Sequence, residues 1–152
     1  LLPEIDEYEH LIIVRTFTKI FTIPGVRLGY LVCKNNAVHT KIAGQIPEWN
    51  LSCFAQEAGC ICAKQAEFIE KTKIYIEEER QFMEKELMQI GLRTFPSVSN
   101  FITIYSDKPL YEKLLNRGIL IRDCGNFRGL GKGFYRIAVK NRNENKILLE
   151  NL

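Results

Sequence analysis

The sequence predicts a mixed α/β or α+β fold, and three observations carry that prediction. Residues 11–16 (LIIVRT) and 28–33 (LGYLVC) are apolar runs of strand length, separated by the turn signal Pro24-Gly25. Residues 51–90 repeat apolar positions at helical spacing. Beyond residue 91, strand-like and helix-like stretches alternate to residue 152.

Taken in order, the first run is rich in β-branched residues and reads as a buried strand. A loop with Thr16, Thr18 and Lys19 follows it, then the second strand, which Asn35-Asn36 ends. Ala37 to Gln45 is expected to be a short helix, stopped before Pro47. The long pattern places Leu51, Phe54, Ala58, Ile61, Phe68, Ile76, Met83 and Leu87 at helical intervals. One rod of that length would span ~60 Å, so a break near Lys71-Thr72 is expected, and Gly91 supplies the stop. Phe101–Tyr105 reads as a strand, Pro109–Asn116 as a helix ended by Gly118, and Ile119–Ile121 as a further strand. A Gly-containing loop from Gly125 to Gly133, a strand over Tyr135–Val139 and a helix over Asn143–Leu152 complete the chain.

Composition narrows the function classes. The chain has 152 residues, 46% hydrophobic and 26% charged, the proportions of one globular domain rather than of a disordered or fibrous chain. Twenty-one Lys and Arg against 18 Asp and Glu leave +3, dispersed, with no basic stripe for nucleic acid. The five cysteines have no metal-ligand spacing, so no metal is expected, and reduced thiols in a cytoplasmic protein fit better than disulfides. No apolar run reaches the ~18 residues of a membrane span, and no targeting peptide is visible. Trp49, in Pro47-Glu48-Trp49-Asn50, reads as a packing residue at a helix entrance.

Lys19 sits between a buried strand and a Pro-Gly turn, where a rigid sheet presents functional groups. It reads either as a solvated lysine or as a partly desolvated amine whose lowered pKa makes it nucleophilic. Arg27 is either a surface arginine at a strand start or an anion clamp, since a guanidinium fork matches phosphate geometry. With Thr16 and Thr18 it would make a phosphate-plus-amine site. Arg122 and Arg136 each lie in strand-like apolar sequence. Either they pair with carboxylates of the fold or they await an anionic ligand. The glycines between them do not join a strand to a helix as a phosphate loop requires.

Thr16-Phe17-Thr18-Lys19 followed by Pro24-Gly25-Val26-Arg27-Leu28-Gly29-Tyr30 resembles the lysine segment of fold-type I pyridoxal-phosphate enzymes, the aminotransferase class I and II family. The resemblance implies that Lys19 bonds the cofactor and that Thr16, Thr18 and Arg27 bind its phosphate; the family more often has Ser at the place of Thr16. Pro47-Glu48-Trp49-Asn50, Pro96-Ser97-Val98-Ser99-Asn100-Phe101 and Arg136 resemble the histidinol-phosphate aminotransferase subgroup. Ile119 to Leu130, with Tyr135-Arg136 and Glu144-Asn145, looks most like the threonine-phosphate decarboxylases of cobalamin biosynthesis.

That resemblance implies a fold, a site and a reaction. The fold would be the carboxy-terminal portion of a PLP-dependent transferase. Residues 1–48 would close the large cofactor domain, 49–91 would form the connecting helix region, and 92–152 a small domain whose sheet is covered by helices. Arg136 would bind the substrate α-carboxylate and Arg122 its phosphate. The implied reaction converts L-threonine O-3-phosphate into (R)-1-amino-2-propanol O-2-phosphate and CO₂. A histidinol-phosphate-type aminotransferase and a non-catalytic α/β dimerisation or binding module are the alternatives. The family's Gly-containing phosphate loop, ring-stacking aromatic and ring-nitrogen Asp have no counterpart here, so the chain is expected to be an inactive fragment of a homodimeric enzyme.

Overall fold

The computed structural model describes residues 2–152. The chain divides into two compact units, one ending at Ile69 and the other spanning Glu70–Leu152.

In the first unit, β1 (Ile12–Thr16) and β2 (Gly29–Cys33) form an antiparallel pair in which Ile12 faces Cys33 and Thr16 faces Gly29. A Cβ on Gly29 would stand 2.8 Å from the carbonyl oxygen of Arg15, so the close strand approach requires glycine there. A single 3-10 turn, Pro24–Val26, interrupts the connection. Helix α1 (Asn36–Ala43) starts where the side chain of Asn35 accepts hydrogen bonds from the backbone of Ala37 and Val38. Helix α2 (Cys53–Ala63) is capped in the same way by the Ser52 hydroxyl, which accepts from the Ala55 amide at 3.1 Å. The free cysteines Cys60 and Cys62 of α2 diverge, one exposed and the other buried.

Helix α3 (Ala66–Gln89) follows after two residues. The expected break near Lys71-Thr72 is therefore corrected to Lys64-Gln65. There the amides of Lys64 and Gln65 bond to carbonyls three residues back, the tightening that ends a helix without glycine or proline. Gly91 stops α3 with φ +79°, as the sequence predicts. Trp49 is a second correction: it is 94% exposed, on a left-handed backbone of φ 60°, and packs no helix entrance.

In the second unit β3 (Arg93–Phe95), β4 (Phe101–Tyr105), β5 (Arg122–Asp123) and β6 (Phe134–Ala138) form an antiparallel sheet in the order β3-β4-β6-β5. Strand β3 has no counterpart among the predicted elements, and the strand expected at Ile119–Ile121 lies instead at Arg122–Asp123. Helices α4 (Leu110–Leu115) and α5 (Arg142–Asn151) agree with the prediction to within two residues at each end. Residues alternate along β4 and β6. Ile102, Ile104, Tyr135 and Ile137 enter a core with Met83 and Leu87 of α3, Leu110 and Leu114 of α4, and Leu148 of α5. The side chains between them, including Phe101, Phe134 and Arg136, lie on the sheet's other, half-covered face.

Candidate active site

The six candidate residues fall into two clusters, Thr16, Thr18, Lys19 and Arg27 in the first unit and Arg122 and Arg136 in the second. In the first, the β1–β2 ladder closes the lysine loop at its base. The Leu28 carbonyl oxygen accepts from the Phe17 amide at 3.2 Å and from the Thr16 hydroxyl at 3.0 Å. The Thr16 oxygen in turn accepts from the Thr18 amide at 3.1 Å and lies 2.5 Å from the Thr18 hydroxyl. Both threonine hydroxyls are thereby fixed beside the chain segment that carries Arg27. Amides of Thr22 and Ile23 bond back to the carbonyls of Lys19 and Thr18, curling the loop into a compact turn.

Arg27 ends the 3-10 turn in a left-handed conformation, φ 56° and ψ 44°, and its Nη1 donates to the Pro24 carbonyl at 3.3 Å. Thr22, on the other side of the turn, also has positive φ, 55°. Two non-glycine residues in that region within one loop are a concentration of strain, of the kind found where ligands bind. Lys19 is exposed, and no described residue holds its Nζ or pairs with the Arg27 guanidinium through a carboxylate. The partial desolvation considered for Lys19 is thus not supplied by its neighbours here. Phe17 packs against Tyr30 and Phe21, with ring centroids 5.5 and 6.0 Å apart, and gives the loop its apolar footing.

In the second cluster Arg122 of β5 stands opposite Arg136 of β6 in the antiparallel register, so both side chains leave the same face of the sheet. Like charges directly opposite each other are unfavourable without an anion between or beside them. Neither guanidinium pairs with a carboxylate among the described residues. The Arg136 guanidinium lies 4.4 Å from the centroid of the Phe101 ring, and its Nε is buried with no hydrogen-bond partner. A buried cationic donor without an acceptor costs stability until a water or a ligand atom meets it. The two arginines line an open cavity of about 510 Å³ together with Phe101 and Tyr111. Burial pushes the thiol of Cys124, which follows β5, above its usual range, against the opposing pull of Arg136 and Arg122.

All residues of the chain, 1–152, match the model of the family described as aminotransferase class I and II. The chain belongs to that family. Curated relatives named threonine-phosphate decarboxylase or histidinol-phosphate aminotransferase are 30–38% identical to it. The threonine-phosphate decarboxylase of Salmonella typhimurium is 30% identical over 97% of this chain and 42% of its own length. A histidinol-phosphate aminotransferase of Caldanaerobacter subterraneus subsp. tengcongensis is 34% identical over 100% of this chain and 43% of its own. The crystal structure of the histidinol-phosphate aminotransferase from Clostridium acetobutylicum superimposes with a TM-score of 0.95 at 36% identity, covering 100% of this chain and 47% of that one. The chain thus spans less than half the length of these relatives, and the shared fold is the carboxy-terminal part of theirs.

Members of the aminotransferase class I and II family depend on pyridoxal phosphate. The lysine loop of this member fits that group chemically: two hydroxyls and a guanidinium for a phosphate, and an amine that no described residue engages. Two side chains of the second cluster escaped the sequence reading. Phe101 stacks on Arg136, and Asn126 accepts a hydrogen bond from Arg122 at 3.1 Å. Only the alternation of β4 could have placed Phe101 on the arginines' face. Among the described residues no helix is long and apolar enough to cross a membrane, and no group of acidic, His or Cys side chains is arranged to hold a metal.

Proposed function

We propose that this chain supplies the lysine loop and the anion-binding arginines of a pyridoxal-phosphate-dependent decarboxylase in cobalamin biosynthesis. Its substrate is L-threonine O-3-phosphate and its products are CO₂ and (R)-1-amino-2-propanol O-2-phosphate. The observation that carries this reading is the opposed pair Arg122 and Arg136, neither matched by a carboxylate, in one cavity. Threonine phosphate brings a carboxylate and a phosphate together in one molecule, one anion for each arginine. Histidinol phosphate brings a phosphate alone, and the aminotransferase reading fills the second arginine only through its keto-acid partner. The relatives named threonine-phosphate decarboxylase support the same choice.

When bound, pyridoxal phosphate supplies an acceptor for the electron pair released as a bond to Cα breaks. The residues of this chain do the positioning. Thr16, Thr18 and Arg27 would hold the cofactor phosphate, and Lys19 would hold the cofactor through its Nζ. Arg136 holds the α-carboxylate and Arg122 the substrate phosphate. A substrate held at both ends would have its Cα–carboxylate bond fixed in direction, and that fixed direction would favour loss of CO₂ over loss of the Cα proton. The same reading assigns residues 1–48 to the large domain, 49–91 to the connecting helices and 92–152 to the small domain, in a cytoplasmic homodimer.

A histidinol-phosphate-type aminotransferase is the second reading, favoured by the likeness to the Clostridium acetobutylicum enzyme. The intact protein, supplied with pyridoxal phosphate, separates the two. CO₂ release from L-threonine O-3-phosphate without a keto acid supports the decarboxylase. Glutamate formed from histidinol phosphate and 2-oxoglutarate, with no CO₂, supports the aminotransferase. Arg136→Ala is expected to lower kcat/KM for threonine phosphate ~100-fold, the loss of one charge-assisted clamp.

A further inference from the structure

The two arginines leave the sheet from opposed positions, yet their guanidinium groups are anchored on opposite sides. Arg136 stacks on Phe101, which lies on β4, one strand further from β5 in the order β4-β6-β5. The Arg122 guanidinium lies 5.3 Å from the centroid of the Phe127 ring, and its Nη2 donates to Asn126 Oδ1 at 3.1 Å. Both of those partners belong to the loop that follows β5, at the sheet edge. One cation is therefore drawn inward across the sheet and the other outward.

The loop is itself fixed. The Gly125 amide donates to Asp123 Oδ1 at 2.8 Å, and the Phe127 amide to the Cys124 carbonyl at 2.9 Å. Asp123, the carboxylate nearest in sequence to Arg122, is thus engaged in shaping the turn and forms no ion pair with that guanidinium. Arg122 meets a neutral acceptor and an aromatic face, which orient it while leaving its charge unneutralised.

We propose that Asn126 and Phe127 are positioning residues that hold Arg122 apart from Arg136, and that this separation fixes the distance between the two anionic ends of the substrate. The inference rests on the proposed role of Arg122 at the substrate phosphate. The selected ligand class is an amino acid carrying both a carboxylate and a phosphate monoester. A compound with one of the two anions engages only one anchored guanidinium and gains nothing from the separation.

The test uses the intact protein loaded with pyridoxal phosphate and reads dissociation constants from the cofactor absorption band for three probes. These are L-threonine O-3-phosphate, O-phosphoethanolamine (phosphate without carboxylate) and L-threonine (carboxylate without phosphate). The Asn126→Ala/Phe127→Leu variant is expected to bind L-threonine O-3-phosphate ~10-fold more weakly and both single-anion probes within about twofold of the parent. Phe127→Tyr, which keeps a ring beneath the guanidinium, is expected to restore the binding that Phe127→Leu loses. Weakening of O-phosphoethanolamine or of L-threonine by as much as L-threonine O-3-phosphate, or no change in any probe, overturns the proposal. Arg122→Ala separates the two failures. If it weakens the phosphorylated probes while the Asn126/Phe127 variant does not, Arg122 remains the phosphate clamp and the positioning role falls. If it changes none of the probes, the clamp itself falls and the positioning role with it.

Discussion

The Nε of Arg142 donates to both carboxylate oxygens of Glu79, at 2.9 and 3.1 Å, joining the start of α5 to the middle of α3 across 63 residues of sequence. Asn145 Nδ2 donates to the same carboxylate at 2.8 Å while its Oδ1 accepts from the Lys140 amide at 2.9 Å, so the buried glutamate is matched from two directions. The Arg142 guanidinium also sits 3.8 Å from the centroid of the Phe82 ring. This cluster locks α5 and the end of β6, the strand that carries Arg136, onto the long helix.

Removing the carboxylate leaves the buried Asn145 amide with the Lys140 carbonyl as its one remaining acceptor and takes the ion-pair partner from the half-exposed Arg142. Glu79→Ala is expected to destabilise the second unit by about 3 kcal/mol. Arg142→Ala, which leaves the buried Glu79 carboxylate with only the Asn145 amide, is expected to cost about 2 kcal/mol. Amide hydrogen exchange in α5 measures both. Equal protection in Glu79→Ala and the parent would contradict the assignment.

The lysine loop was legible because its logic is local: hydroxyls, amine, turn and guanidinium all fall within Thr16–Arg27. The opposition of Arg122 and Arg136 was half legible. Strand character could be read around both, but register is set by pairing, and β5 begins only where the apolar run Ile119–Ile121 ends. The break at Lys64-Gln65 was hidden because neither residue is a helix breaker. Strand β3 was hidden because three residues, Arg93-Thr94-Phe95, are too few to show a period. The stacking of Phe101 on Arg136 joins residues 35 apart, which no spacing rule reaches.

Arg27 combines strain with proposed function, and substitution should separate them. A left-handed conformation costs a non-glycine residue about 1–2 kcal/mol, while glycine adds about 0.5–1 kcal/mol of unfolded-chain freedom. Arg27→Gly is therefore expected to leave the cofactor-free protein as stable as the parent or up to about 1 kcal/mol more stable. The same substitution is expected to weaken pyridoxal phosphate binding at least ~10-fold, because the guanidinium is gone. Thermal melts with and without cofactor read both signs. A cofactor-free protein that melts well below the parent would contradict the strain.

Burial raises Cys124 from its ordinary 9.0 and Tyr135 from its ordinary 10.0, so both favour their protonated forms in the folded state. Their contribution is complete below those ordinary values. As pH climbs past them the unfolded chain releases protons that the folded chain still holds, and stability falls. Urea midpoints are expected to hold between pH 7 and 8 and to decline from about pH 9 upward, less steeply in Cys124→Ala. A rise in stability above pH 9 would contradict this.

The central claim is that Lys19 is the cofactor lysine. The most direct test incubates the intact protein with pyridoxal phosphate, reduces it with borohydride and maps the modified peptides by mass spectrometry. A single pyridoxyl group on the peptide containing Lys19, absent from Lys19→Ala and diminished in Arg27→Gly, is the predicted result. Modification scattered over other lysines, or none at Lys19, would contradict the account.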